Sequence, residues 1–333
     1  MSEFRQNPAT REWILFAPER SRRPAKKQRR PPTPPRLVHD PECPLCPGQE
    51  QTCTPGETLR YLDSSGEWTV RSFPNKFPAV QPRELADRSG SLLERRMPAA
   101  GHHEVICESR RHNATLARMQ PAEVEQVVRA WYERIHALRL YKLTDYVSLF
   151  KNYGVRAGTS LEHPHSQIVT LPMVPWQVRH RLEGAARYYD DNGRCIWCDL
   201  LHEEREAGLR LVAERPGFTA FVPYATYRPS TVWLVPHAHA GCFSLAQPDQ
   251  LPALASLLHE VLYRLDQALK DPPFNLVFRV GSRGHLRTEY CHWYLAIVPR
   301  LSKMSGFELG TGMYINTSWP EQDADKLRTV RYP

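Results

Sequence analysis

Two C-x-x-C pairs, each followed by histidines at matching distances, constrain this chain more than any other feature. The pairs are Cys43 with Cys46 in "CPLC" and Cys195 with Cys198 in "CIWC". After the first comes the apolar run "HEVICESRRH", closing on His112; after the second comes "STVWLVPHAH", closing on His239. Gln120-Pro121 stands eight residues beyond His112, and Gln247-Pro248 eight beyond His239. Each Gln-Pro opens a stretch with helical periodicity; in the first, Val124, Val127, Val128, Trp131, Ile135 and Leu138 share one face. Strand-like runs follow at 146–154 and 274–284, each ending in a turn signal. A second histidine comes next: His163 lies 51 residues after His112, and His292 lies 53 after His239. The order C-x-x-C, strand-His, helix, strand, His-strand thus occurs twice in 333 residues. It reads as a duplication, with an N-terminal catalytic half at 1–178 and a C-terminal half at 179–333.

Each half offers two thiolates and two imidazoles brought in from distant strands. Cys2His2 is a closed tetrahedral set suited to structural zinc. The expected sites are Cys43, Cys46, His112, His163 and Cys195, Cys198, His239, His292, with zinc in the first and zinc, iron or nothing in the second. His102 and His103 compete as ligands in the first half, and His237 and His285 in the second. "CIWC" alone would pass for a redox pair, but neither pair joins a strand to a helix as a thioredoxin-like site requires.

The opening "MSEFRQNPATREW" is polar and lacks an apolar signal region, so a cytoplasmic protein is expected. No apolar run approaches the roughly 18 residues of a transmembrane helix, so no membrane partner is expected. Net charge is +8 with a pI near 9.1. Much of it sits in "ERSRRPAKKQRRPPTPPR", residues 19–36, which reads as a solvated Pro-rich arm or as a surface for an anionic partner. A zinc-bearing nucleic-acid-binding protein is one way to combine these features. Against it, Cys46 and His112 are 66 residues apart, too far for a finger or ribbon, and there is no recognition-helix or RNP-like pattern. No nucleic-acid partner is expected.

The halves agree at His163 and His292 and differ two residues later, where His165 corresponds to Tyr294. On a strand, residues two apart point to the same side. His163, His165 and Gln167 then share a side, and a metal-bound His163 helps to fix His165. A positioned neutral histidine is a competent nucleophile toward phosphorus or a general base. Gln167 can donate to a phosphoryl oxygen or orient the imidazole. Lys151 and Asn152 in "FKNYG" add donors from a neighbouring run, and the turn holding Gly158 and Ser160 can bring backbone N–H groups to an anion.

These residues resemble the histidine-triad superfamily, and more closely its galactose-1-phosphate uridylyltransferase branch, over nearly the whole chain. "CPLC", "RRHN" and "EHPHSQ" match that branch's metal site and catalytic strand, and "FKNYG" its phosphate-contacting Asn segment. The opening "NPATREWILFAPERSRRP" matches its N-terminus, and "FPNKF" (73–77) its nucleoside-binding segment. The resemblance implies an α+β fold: two histidine-triad-like halves, each an antiparallel sheet with helices packed on one side, whose strands can form a shared sheet. It also implies a homodimer. By the same resemblance His165 attacks the α-phosphorus of a nucleotide sugar and expels sugar 1-phosphate. A second sugar 1-phosphate, or another phosphate acceptor, then takes the nucleotidyl group. Gln167 stabilises the transferring phosphoryl group; Arg20, Arg23, Asn152 and Ser160 neutralise charge; Asn75 and Phe77 meet the nucleoside.

Two departures bear on the substrate. The nucleoside segment often reads Asn-Asp-Phe in the family and is Asn75-Lys76-Phe77 here. The C-terminal stretch "HWYLAIVPRLSKMSGFELGTGMYIN" is similar to the ADP-glucose phosphorylase branch, which also carries a second C-x-x-C and moves an adenylyl group to phosphate. The first expectation is UMP transfer between UDP-hexose and hexose 1-phosphate, with ADP-glucose phosphorolysis as the alternative. A small histidine-triad hydrolase ranks third, because Gln167 stands where those proteins carry a third histidine.

Overall fold

The computed structural model describes residues 1–22, 37–53 and 56–333. Most of the basic Pro-rich segment, Arg23 included, lies outside the described residues.

The duplication is written into one ten-stranded antiparallel sheet. The first half supplies β3 (Leu59–Leu62), β4 (Trp68–Pro74), β5 (His103–Cys107), β6 (Tyr146–Tyr153) and β7 (His165–Leu171). The second supplies β8 (Leu211–Arg215), β9 (Phe218–Phe221), β10 (Val232–Pro236), β11 (Phe274–Arg279) and β12 (Tyr294–Pro299). In space the order is β3-β4-β5-β7-β6-β11-β12-β10-β9-β8, the same five-strand pattern met from opposite edges. The halves join where β6 pairs with β11, Tyr153 opposite Phe274 and Phe150 opposite Val277. Two short N-terminal strands, β1 (Glu3–Gln6) and β2 (Trp13–Phe16), form a separate small sheet with β13 (Ile315–Asn316).

Each half sends one long helix to the same face of the large sheet: α1 (Pro121–Arg139) and, among the later helices, Leu251–Leu269. The Gln-Pro pairs start them. Glu123 accepts from the Gln120 backbone N–H at 2.8 Å, and Pro121 takes the first helical position, where no N–H is needed. Gln250 does the same for Gln247 at 3.3 Å, ahead of a 3-10 turn that runs into the second helix. Val124, Val127, Val128, Trp131, Ile135 and Leu138 are all buried in the main core, as their spacing predicts. Trp131 Nε1 donates to Ser166 Oγ at 2.7 Å, tying the helix to the strand that carries His165.

The opposite face differs between halves. In the C-terminal half it is filled by α2 (Trp176–Asn192) and α3 (Ile196–Ala207), whose Ala185, Ile196, Trp197 and Leu201 pack on Trp233, Tyr294 and Val298. In the N-terminal half it is left open beside His165. Residues 178 and 179, the boundary expected between the halves, fall inside α2. No helix among the described residues is long and apolar enough to cross a membrane.

Candidate active site and metal centres

Both Cys2His2 sets assemble. Cys43, Cys46, His112 and His163 bring one ligand atom each to within 4.8 Å of one another, and Cys195, Cys198, His239 and His292 do the same. The internal geometry repeats. Cys46 Sγ lies 3.5 Å from Nδ1 of both His112 and His163; Cys198 Sγ lies 3.4 Å from Nδ1 of both His239 and His292. The imidazole pairs cross edge to face at 75° and 79°.

The donor chemistry fits a thiophilic divalent cation. His163 Nε2 donates to Ser109 O at 2.8 Å, His239 Nε2 to Thr288 O at 3.1 Å and His292 Nε2 to Pro236 O at 3.0 Å. A ring that donates through Nε2 turns an unprotonated Nδ1 toward the thiols, the arrangement metal-bound histidines adopt. Cys195 is held toward thiolate, chiefly by the hydrogen bond from Cys198 and then by the two imidazoles, which pushes Cys198 up. Burial drives Cys43 up to about 11, a cost that a bound cation reverses by favouring thiolate. Of the rival ligands, His237 Nε2 instead meets Thr219 Oγ1 at 2.8 Å and His285 Nδ1 meets Ser282 Oγ at 2.6 Å. The first set is buried throughout, whereas His239 of the second is exposed.

His163 stands just ahead of β7, with its imidazole committed to the metal set. Its main chain does the positioning: His165 Nδ1 donates to His163 O at 2.8 Å. Nε2 of His165 is thereby left as the lone-pair nitrogen. Two further bonds hold this backbone. Glu108 N donates to Pro164 O at 3.0 Å, and Lys151 Nζ donates to His165 O at 3.1 Å and to Glu108 Oε2 at 2.6 Å. Lys151 and Glu108 are both almost wholly buried. Burial, and then the charge of Lys151, push His165 down to about 4, so its ring is neutral at pH 7.

His165 and Gln167 face a cavity of about 490 Å³, also lined by Asn75, Lys76, Phe77, His103 and Ser160. Strand alternation explains the choice: Ser166 and Ile168 point to the helix side, His165 and Gln167 away from it. His103, weighed in the sequence only as a rival ligand, has a separate place. Its Nδ1 accepts from Ala79 N–H at 3.0 Å, so the proton sits on Nε2, which donates to Gln167 Oε1 at 2.9 Å. Asn75 Nδ2, 3.1 Å from the same nitrogen, is a neighbour and not an acceptor. With its oxygen occupied, Gln167 keeps its NH2 for the cavity. Gly101 permits this: a Cβ there would stand 2.2 Å from Thr170 O, so only glycine lets the strand carrying His103 start so close to β7.

The remaining expected residues divide. Asn75 accepts from Phe77 N–H at 2.9 Å, and the Phe77 ring is 83% exposed at the cavity. Ser160 is exposed at its rim. Asn152 does not line this cavity; its Oδ1 accepts from Asn275 Nδ2 at 2.8 Å across the seam between halves. Arg20 is exposed on a 3-10 turn spanning Pro18–Arg22 and is also outside the lining.

The family described as "Galactose-1-phosphate uridyl transferase, N-terminal domain" matches residues 1–175. An ADP-glucose phosphorylase of Arabidopsis thaliana is 33% identical, covering 98% of this chain and 93% of that protein. A galactose-1-phosphate uridylyltransferase of Thermotoga maritima is 26% identical, covering 98% of each. Among solved structures, an ADP-glucose phosphorylase from Arabidopsis thaliana with bound ADP-glucose superposes with a TM-score of 0.83 at 30% identity, covering 100% of both chains.

Proposed function

The chain belongs to the galactose-1-phosphate uridyl transferase family, and we propose that it transfers an adenylyl group from ADP-glucose to phosphate through a covalent nucleotidyl-His165 intermediate. One observation carries the reading. His165 is a buried neutral imidazole whose Nδ1 is tied to a backbone carbonyl, leaving Nε2 free at a cavity.

In the first half-reaction the Nε2 lone pair attacks the α-phosphorus, and the bond to the bridging oxygen breaks. Glucose 1-phosphate leaves with that electron pair. The ring gains positive charge as the P–N bond forms, and the His163 carbonyl, already accepting from Nδ1–H, binds it more strongly as it does. Gln167 offers its NH2 to the phosphoryl oxygens, where charge builds in the transition state. In the second half-reaction an oxygen of inorganic phosphate attacks the same phosphorus, the P–N bond breaks, and ADP leaves behind neutral His165. Positioning and electrostatics supply the acceleration. Asn75, Lys76 and Phe77 form the nucleoside end of the cavity, with Ser160 at the phosphate end. Arg20, Arg23 and Asn152 as phosphate contacts, and a homodimer, are proposed from the family resemblance alone. Cys43, Cys46, His112 and His163 would hold zinc, with Cys195, Cys198, His239 and His292 as a second set. The ion would supply a structural crosslink that fixes the backbone ahead of His165.

Adenine is favoured by the 33% identity with the ADP-glucose phosphorylase against 26% with the Thermotoga uridylyltransferase. The second Cys2His2 set points the same way, and Lys76 in place of an acid departs from the uridylyltransferase pattern. UMP transfer between UDP-hexose and hexose 1-phosphate is the second reading, favoured by the family match over residues 1–175. Mass spectrometry after incubation with ADP-glucose or UDP-glucose tests both. An AMP adduct on His165 is the expected result; a UMP adduct alone selects the second reading; no adduct with either sinks the covalent mechanism.

A further inference from the structure

The face that carries the His165 cavity in the N-terminal half carries a smaller cavity at the corresponding place in the C-terminal half, narrowed by packed aromatic rings. Tyr294, at the repeat position of His165, is buried with its ring centroid 4.4 Å from Trp233 and 5.0 Å from Trp197. Tyr294 and Trp233 line a second cavity of about 230 Å³. Its lining includes Arg181, Arg228, Arg279 and Arg300 against one carboxylate, Glu12.

These guanidiniums are poorly matched by the protein itself. Glu12 accepts from Thr10 Oγ1 at 2.9 Å, and among the described residues no carboxylate forms an ion pair with any of the four arginines; Glu308 acts on Arg228 only from a distance, and Arg279 meets the Tyr227 hydroxyl. Arg228 is only 4% exposed; its Nη1 donates to Ser302 O and Oγ at 2.8 and 3.0 Å, while its buried Nε has no acceptor. Arg300 Nε is likewise buried without one. Arg279 stands directly across from Tyr294 in the sheet. Burial, and then the charge of Arg300, pull the Arg228 guanidinium down from its ordinary range. An unpaired buried cation is costly, and buried Arg228 with three half-buried arginines converging on one space calls for an anion within it.

We propose that this cavity is a second binding site, separate from the His165 cavity, for a small phosphate dianion, free or as a sugar monophosphate. Guanidinium forks match phosphate oxygens in pairs, which a cluster of arginines exploits better than one of lysines. The volume sets the upper size. It lies below the roughly 300–1,000 Å³ of sites that enclose drug-sized ligands, a closer match to a hexose monophosphate than to a nucleotide sugar. Tyr227 and Tyr314 add hydroxyls, and Trp176 an aromatic face, for the sugar ring.

Calorimetric titration of glucose 1-phosphate into the full-length zinc-loaded protein tests this. The expected result is two sites per chain. Arg279→Gln and Arg300→Gln should each weaken one of them at least about tenfold, leaving the other site and the rate of nucleotidyl transfer unchanged. Inorganic phosphate in place of glucose 1-phosphate tells the sources apart: equal affinity for the Arg-dependent site assigns it to free phosphate, and tighter binding of the ester assigns it to a sugar phosphate. Should either variant fold poorly by circular dichroism, crystals of the unsubstituted protein soaked in selenate give a second reading, with density expected between Arg228, Arg279 and Arg300. A single Arg-dependent site would keep this proposal and count against the reading of the His165 cavity; no site that responds to either substitution, or selenate absent from the cluster, would overturn the proposal.

Discussion

Nδ1 of His165 donates to the backbone carbonyl of His163 over 2.8 Å. The residue proposed for the metal and the residue proposed for phosphorus are therefore coupled through main chain, not through their rings. His165→Ala should abolish exchange between nucleotide sugar and sugar 1-phosphate, by on the order of 10³-fold or more, with zinc content and circular dichroism unchanged. Retained exchange would remove His165 from the mechanism.

Gln167 depends on His103. His103→Phe removes the Nε2–H that holds Gln167 Oε1, freeing the amide to rotate. The expected effect is a fall in kcat of about tenfold, roughly 1.4 kcal/mol, with KM for the nucleotide sugar and metal content little changed. His103→Gln, able to donate at a similar reach, should recover part of the loss. Equal falls for both variants, or a change in KM alone, would speak against an orienting role.

Lys151 and Glu108 form a buried pair under the His165 backbone. Removing one partner strands the other. Lys151→Met should cost about 3–5 kcal/mol, read as a lowered midpoint in urea unfolding. Adding Glu108→Gln should return a large share of that. A double variant no more stable than the single one would contradict the pairing.

The two metal sets should differ in lability. His239 is exposed where all four residues of the first set are buried. A chelator such as EDTA should strip one equivalent of metal per chain quickly and the second far more slowly, with nucleotidyl exchange following the slow phase. Ligand variants of each set assign the phases; a fast phase that vanishes with Cys43→Ser in place of Cys198→Ser would reverse the assignment.

Acid should weaken the fold through His259. Burial lowers its folded-state pKa, and the Tyr332 hydroxyl meets Nδ1 at 2.7 Å. Below the unfolded value of about 6.5, the unfolded chain takes up a proton that the native ring resists. Stability is therefore fully present above about 6.5 and falls as pH drops from there toward the depressed folded value. His259→Gln should lessen the dependence of Tm on pH between 6.5 and 5, with buried His165 contributing to what is left; an unchanged slope would assign it elsewhere.

Much of this arrangement was legible in the sequence because it repeats. Two C-x-x-C pairs and two spaced histidines name both metal sets, and the Gln-Pro pairs name both helix starts. Alternation along "HPHSQ" puts His165 and Gln167 on one side. His103 was not legible in its role, because its bond to Gln167 runs between strands whose pairing no local pattern states. The same holds for Lys151, which reads as a donor for substrate but lies buried under the backbone. Asn152 turns to Asn275 because β6 is an inner strand once the halves join, a neighbour visible only when both copies are folded.

That junction has a consequence for the chain's history. Either half alone would end in an open inner edge, Tyr146–Tyr153 in one case and Phe274–Arg279 in the other, each a template for stray pairing. The natural cover for such an edge is another copy of the same half. The seam from Tyr153–Phe274 to Phe150–Val277 has the form of a dimer contact made permanent by fusion. Once fused, one copy can carry tyrosine where the other carries His165 and still cap the other's edge.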